Sequence, residues 1–216
     1  MGDFLTLSSE DRNATKDAVL RNIRSGSIAV LASEFGYIYA VDAFNSGGVS
    51  RIEAIRGSSP GSACQVFVGE IKTVTGIARN FDSEAALVAE KFWPGALTLL
   101  LAPQRGLSWD LGDGGALDEF ALRIPSQKFL LEVLQESGPM AIASASVAGR
   151  PPTLDINYVP AAPPDVGIYI DEGPLKASGR STVVRQKISG LEMLREGDIS
   201  FEQLQGVISG ISRVTP

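Results

Sequence analysis

Arginine, lysine, hydroxyl and carboxylate side chains must carry whatever chemistry this chain performs. Histidine is absent from its 216 residues and cysteine occurs once, as Cys64. Nucleophilic catalysis by Ser-His-Asp or Cys-His is therefore excluded. So are zinc sites built on His and Cys, an imidazole pH switch and any intrachain disulfide. What remains is carboxylates, Lys, Arg, hydroxyls, backbone amides, and a metal ion that arrives with phosphate. Arginine suits phosphate chemistry because its planar fork binds phosphate or carboxylate through paired hydrogen bonds. Neither a G-x-x-x-x-G-K-[ST] phosphate loop nor a G-x-G-x-x-G fingerprint occurs, so a nucleotide would be held by another arrangement.

The elements that must position such groups can be read from the apolar pattern. Residues 15–25 read as a helix with Ala18, Val19 and Ile23 on one side, stopped by Gly26. Strands are expected at 27–32 and 37–43, with a turn at 33–36 and a loop at 45–48. Ser50 is placed to cap a short helix at 51–56 closed by Gly57, followed by a small-residue loop at 58–62 and a strand at 65–68. Helices follow at 71–79 and 83–92. The glycine-rich stretch 106–119 reads as a surface loop. A strand at 120–124 ends at Pro125, and Ser126 is placed to cap a helix at 127–137. A strand at 140–145, a loop at 147–152 and a proline-rich connection at 160–164 come next. Strand candidates at 167–170, 181–185 and 191–194 precede a helix at 201–209 capped by Ser200. Alternation early and strands late predict an α/β single domain, residues 1–216, with a twisted mixed β-sheet flanked by helices. Ligands of such sheets sit in a crevice at strand ends.

The centre of this pattern is Phe92-Trp93-Pro94-Gly95-Ala96-Leu97-Thr98. A helix stops at Pro94-Gly95, and a short two-sided apolar run to Ala102 reads as a buried central strand. The same stretch resembles the FWPGPLT signature of the YrdC-like family, the threonylcarbamoyl-AMP synthases and their YciO-type relatives. Further landmarks follow in family order. Ala32-Ser33-Glu34-Phe35-Gly36-Tyr37-Ile38-Tyr39, with Asp42, resembles PTETVYGL and its Asp. Phe120-Ala121-Leu122-Arg123-Ile124-Pro125 resembles VAVRxP, and Ala143-Ser144-Ala145-Ser146-Val147-Ala148-Gly149 resembles TSANxSG. Asp171-Glu172-Gly173 with Ser181-Thr182-Val183-Val184 resembles the DGG and STVVD pair, with Arg185 in place of the last Asp. Leu194-Arg195-Glu196-Gly197 resembles LRxG. The chain departs from the pattern at Ser58 and Ser62, where the family has cations, at Phe67, where it has His, and at Ser146, where it has Asn.

The resemblance implies a YrdC-like fold and an ATP-dependent nucleotidyltransferase that makes threonylcarbamoyl-AMP from threonine, bicarbonate and ATP, for tRNA modification. It implies Ser33, Tyr37, Arg56, Arg123, Ser144, Ser181 and Arg195 as substrate- and nucleotide-binding residues. ATP with Mg²⁺ would enter as substrate, and no covalently bound cofactor is expected. Each residue has a plainer reading. Arg56 fits an exposed helix end favoured by the helix dipole. Arg123 and Arg195 fit ion pairs with Asp171 or Asp42. Tyr37 fits a core aromatic. The lost cations leave two other function classes standing. One is a non-catalytic nucleotide- or RNA-binding module, and the other is a transferase with a less charged pocket lined by Ser58, Ser62, Ser146 and Phe67. A net charge of −6 disfavours RNA as the main partner. No apolar run approaches the roughly 20 residues of a membrane span, and no basic-then-apolar leader is present. The expectation is a cytoplasmic protein.

Overall fold

A computed structural model describes residues 2–59, 61–79, 81–116, 118–160, 164–177 and 179–214. Pro60 of the 58–62 loop and residues 161–163 of the proline-rich connection lie outside them. In chain order the elements are β1 (Asp3–Thr6), α1 (Arg12–Arg24), β2 (Ile28–Ser33), β3 (Gly36–Asp42), α2 (Ser46–Arg56), β4 (Gln65–Phe67), α3 (Ile71–Ile77), α4 (Ser83–Phe92), β5 (Leu97–Leu101), β6 (Phe120–Arg123), α5 (Lys128–Ser137), β7 (Met140–Ser144), β8 (Val166–Asp171), β9 (Thr182–Lys187), β10 (Gly190–Arg195), α6 (Phe201–Gln205) and β11 (Ser212–Arg213).

Among the described residues the strands form one 11-stranded mixed sheet, ordered β1-β8-β2-β3-β7-β4-β6-β5-β9-β10-β11. Its middle is buried on both faces, as continuous apolar strands require. In β2, Ile28, Val30 and Ala32 pack into one core, while Ala29 and Leu31 pack into the other beneath α1 and α5. The first core takes in Val49 and Ile52 of α2, Ala85 and Val88 of α4, and Leu97, Leu99 and Leu101 of β5.

Several expectations are corrected. Asn45, not Ser50, caps α2, accepting from the Gly48 amide at 2.9 Å, so the helix begins inside the expected loop. The close packing of α2 on β3 calls for glycine at position 48, where a Cβ would meet Val41 Cγ2 at 2.5 Å. Gln127, not Ser126, caps α5. The last helix stops at Gln205 rather than at residue 209. The glycine-rich stretch is no mere surface loop: Leu111 is 2 % exposed and its carbonyl accepts from the Cys64 amide at 2.7 Å. The edge strand β1, opposite Ile168–Asp171, has no counterpart in the sequence reading.

Candidate functional site

Six of the seven residues singled out in the sequence line one cleft of about 210 Å³: Ser33, Tyr37, Arg123, Ser144, Ser181 and Arg195. Five of them lie on five different strands and the sixth, Ser181, lies just before another. β2, β6, β7 and β10 deliver theirs at the C-terminal end, Tyr37 is the second residue of β3, and Ser181 immediately precedes β9. By the strand pairing Ser33, Tyr37 and Ser144 lie at one end of the sheet and Arg123, Ser181 and Arg195 at the other, so the cleft runs across the sheet between two sets of strand ends.

Ser33 fixes the β2–β3 turn, its Oγ donating to the Gly36 carbonyl at 2.8 Å. Gly36 has φ +133°, and a Cβ there would come within 2.9 Å of Pro152 Cβ and the Thr153 carbonyl. A glycine is what lets the loop after β7 close over the turn. Tyr37 is fully buried, yet its ring borders the cleft. Its hydroxyl donates to the Gly173 carbonyl at 2.9 Å and accepts from the Glu172 amide at 3.0 Å. Burial pushes its phenol up to about 12.

Arg123 is a cation held still. Nε donates to the Gly95 carbonyl at 2.8 Å, and Nη2 lies 2.8 Å from Glu34 Oε1. The Phe35 ring centroid is 4.4 Å from its Cζ and that of Phe67 5.5 Å. Burial lowers its pKa, and the charge of Glu34 opposes that fall. The Pro94-Gly95 turn thus bears directly on the site, because the Gly95 carbonyl seats this guanidinium.

Arg56 stands apart, in an adjoining cavity of about 260 Å³ that also holds Ser58, Ser62 and Cys64 and meets the first cleft at Gln65 and Ser144. It is not an exposed helix end. Its Nη1 donates to the carbonyls of Ser144 and Ser146, pinning the bend after β7. Burial lowers its pKa. Ser144 Oγ lies 3.0 Å from Ser146 Oγ.

Arg195 pairs with neither Asp171 nor Asp42. Its Nη2 donates to the Ser181 carbonyl at 2.9 Å and to Ser181 Oγ at 3.1 Å. Asp42 lies at the far end of β3, its Oδ1 accepting from the Phe44 amide at 2.8 Å. Arg123 likewise uses Glu34 instead of those two aspartates. Burial, then the charge of Arg180, lowers the pKa of Arg195.

Phe35, Gln65 and Arg180 also line the cleft, and the sequence reading missed them as site residues. Arg180 adjoins Ser181 and Phe35 lies midway between Ser33 and Tyr37, which was the available signal. A wider recess of about 840 Å³, between Arg79, Asp82 and the β9–β10 hairpin, contains none of the candidate residues.

Residues 21–197 match the family model Sua5/YciO/YrdC, described as telomere recombination. A Mycobacterium tuberculosis protein with the provisional name threonylcarbamoyl-AMP synthase is 33 % identical over 187 residues, 86 % of this chain and 85 % of that protein. The crystal structure of Pyrococcus abyssi Sua5 complexed with L-threonine superposes with a TM-score of 0.86 at 24 % identity, over 99 % of this chain. This chain spans only 62 % of that one. Escherichia coli YciO superposes with a TM-score of 0.77 at 19 % identity, over 94 % of this chain and 100 % of its own. At these identities the two structures speak for the fold alone.

Proposed function

Because this chain belongs to the Sua5/YciO/YrdC family, we propose that its cleft binds ATP and threonine and joins them with bicarbonate as threonylcarbamoyl-AMP, a precursor for tRNA modification. The observation that carries this reading is the convergence of Ser33, Tyr37, Arg123, Ser144, Ser181 and Arg195, from separate parts of the chain, on one cleft. The threonine held by the related Sua5 supports it further.

The reaction has two bond-forming steps. The threonine amine attacks the bicarbonate carbon, water leaves, and a carbamate forms. A carbamate oxygen then attacks the α-phosphorus, and pyrophosphate leaves. Chemistry of this kind rests on alignment and on positive charge near the phosphates. Arg195 and the Ser181 hydroxyl face the phosphate groups, and Ser144, whose Oγ is backed by Ser146 Oγ, offers a hydroxyl to the amino acid or carbamate. Arg123 sets the shape of the wall, since Glu34 already neutralises it. Mg²⁺ arrives with ATP as part of the substrate. The test is pyrophosphate release from Mg-ATP, threonine and bicarbonate. Folded protein that gives no release above a blank lacking threonine sinks the reading.

One observation favours a second reading, a non-catalytic nucleotide- or RNA-binding module. Arg56 is occupied by two backbone carbonyls, and Ser58 and Ser62 bring no charge to its cavity. Calorimetry separates the cases: this reading expects ATP or RNA to bind without turnover, and RNA binding to weaken steeply with salt.

A further inference from the structure

The recess of about 840 Å³ between Arg79, Asp82 and the β9–β10 hairpin shares no lining residue with the cleft. Its charges are unspent. The Arg79 amide donates to the Ala102 carbonyl at 2.9 Å, but Nε is buried without a partner, and among the described residues the guanidinium makes no ion pair. Asp82 caps α4, its Oδ1 accepting from the Ala85 amide at 2.8 Å, and among the described residues it too makes no ion pair. Lys187, by contrast, is already neutralised by Glu192 at 2.6 Å. An apolar side chain stands at the same place. Ile188 is the first residue of the two-residue turn that joins β9 to β10, and it is 110 % exposed. Turns of this kind favour Gly, Asn and Asp, not isoleucine. Leu87, half exposed, lies one turn of α4 beyond Glu84, and a Cβ on Gly190 of the hairpin would be 3.5 Å from Glu84 Oε2.

We infer that this recess and its hairpin tip are the interface of a two-fold homodimer, in which Ile188 of each copy seats in the recess of the other and Arg79 of each pairs with Asp82 of the other. A two-fold axis sets one patch against itself, so the patch must be self-complementary. This one carries a projecting apolar side chain beside a hollow, and one unpaired cation beside one unpaired carboxylate. A small anion would satisfy Arg79 and leave Asp82 and Ile188 without a role. A wholly apolar partner would bury the guanidinium uncompensated. A second copy of the chain satisfies all three at once.

The experiment is sedimentation equilibrium of the full chain from about 1 μM to about 1 mM, which spans weak to moderate affinities. The mass should rise from that of one chain towards that of two. Ile188→Asp should weaken association about tenfold or more, as loss of a central anchor does. Arg79→Glu sets carboxylates opposite one another and should weaken it by a similar factor. Adding Asp82→Asn, which keeps a side-chain oxygen for the α4 cap, should return part of that loss. Tyr158→Asp changes another exposed aromatic, outside the recess, and should associate like wild type. Circular dichroism checks that each variant is folded. A chain that stays monomeric throughout the range overturns the inference. So does wild-type association in Ile188→Asp, or an equal loss in Tyr158→Asp. A loss in Ile188→Asp with none in Arg79→Glu would overturn the charge pairing, and with it the two-fold arrangement.

Discussion

Arg123 Nη2 lies 2.8 Å from Glu34 Oε1, with the arginine side chain 3 % exposed and the glutamate 18 %. Glu34 Oε1 also accepts from Ser126 Oγ at 2.9 Å. The β2–β3 turn, the end of β6 and the approach to α5 therefore meet at one carboxylate. Removing one partner of such a pair leaves a buried charge uncompensated. Glu34→Ala should destabilise the fold by about 3 kcal/mol, and adding Arg123→Met should recover part of that. Urea unfolding of the two single variants and the double variant measures both effects. Simple additivity in the double variant would mean the pair is not coupled.

Tyr37→Phe removes one hydroxyl that serves both the Gly173 carbonyl and the Glu172 amide. Leaving part-buried backbone groups unsatisfied costs about 1–3 kcal/mol. The expected result is a lower urea midpoint at unchanged m-value. An unchanged midpoint would place water on those groups already.

Glu172 gives the stability a pH dependence. Burial raises its carboxyl from 4.5 to about 7, opposed by the hydrogen bond from Gln127. The folded state therefore holds its proton where the unfolded chain has released it. Its contribution is full below the unfolded value, and is lost as pH rises towards the folded value near 7. Discounted for partial solvent access, the loss is roughly 2 kcal/mol. Glu172→Gln should flatten the fall in stability between pH 5 and 7.5, read from denaturant midpoints across that range. A slope equal to wild type would assign the effect to another group.

Ser58→Arg with Ser62→Lys tests the second cavity. Both serines line it beside Arg56, and loop substitutions of this kind usually change stability by about 0.5 kcal/mol or less. Each new contact to phosphate is worth about 1.5–3 kcal/mol, so even half of that for the pair raises ATP affinity about tenfold. Calorimetry at fixed salt reads the change. Unaltered affinity in a folded double variant would show that this loop does not face the nucleotide.

Leu111→Ala tests whether the glycine-rich segment belongs to the core. The side chain is fully enclosed, and such truncations cost about 2–5 kcal/mol. A loss below about 0.5 kcal/mol would return the segment to the class of tolerant surface loops.

The strands of the central sheet were legible because two-sided burial leaves a run of apolar residues with little polar interruption, as in β2 and β5. Glycine misled at both ends of its range. Gly47 and Gly48 read as loop, yet close packing on Val41 and the Asn45 cap hold them in α2. The four glycines between residues 106 and 115 read as surface, yet Leu111 among them is core. β1 escaped notice because four edge residues with Phe4 half exposed carry almost no pattern. In the site, residue types were legible and pairings were not. That Glu34 meets Arg123, and that Arg56 turns onto Ser144 and Ser146, depends on which strands lie side by side. Local sequence does not encode that.

The place of β8 in the sheet bears on when this molecule can fold, apart from how stable it is. β2 forms its hairpin with β3 from adjacent sequence, but its other edge pairs with Val166–Tyr169, and Asp3 sits opposite Ile168. Parallel pairings across such separations require long loop closure before any contact rewards it. During synthesis, β2 waits with an apolar, unpaired edge for a strand that emerges much later. Unpaired edges of this sort invite pairing with other chains. The hazard to this protein is therefore one of timing, concentrated in the interval between the emergence of β3 and that of β8.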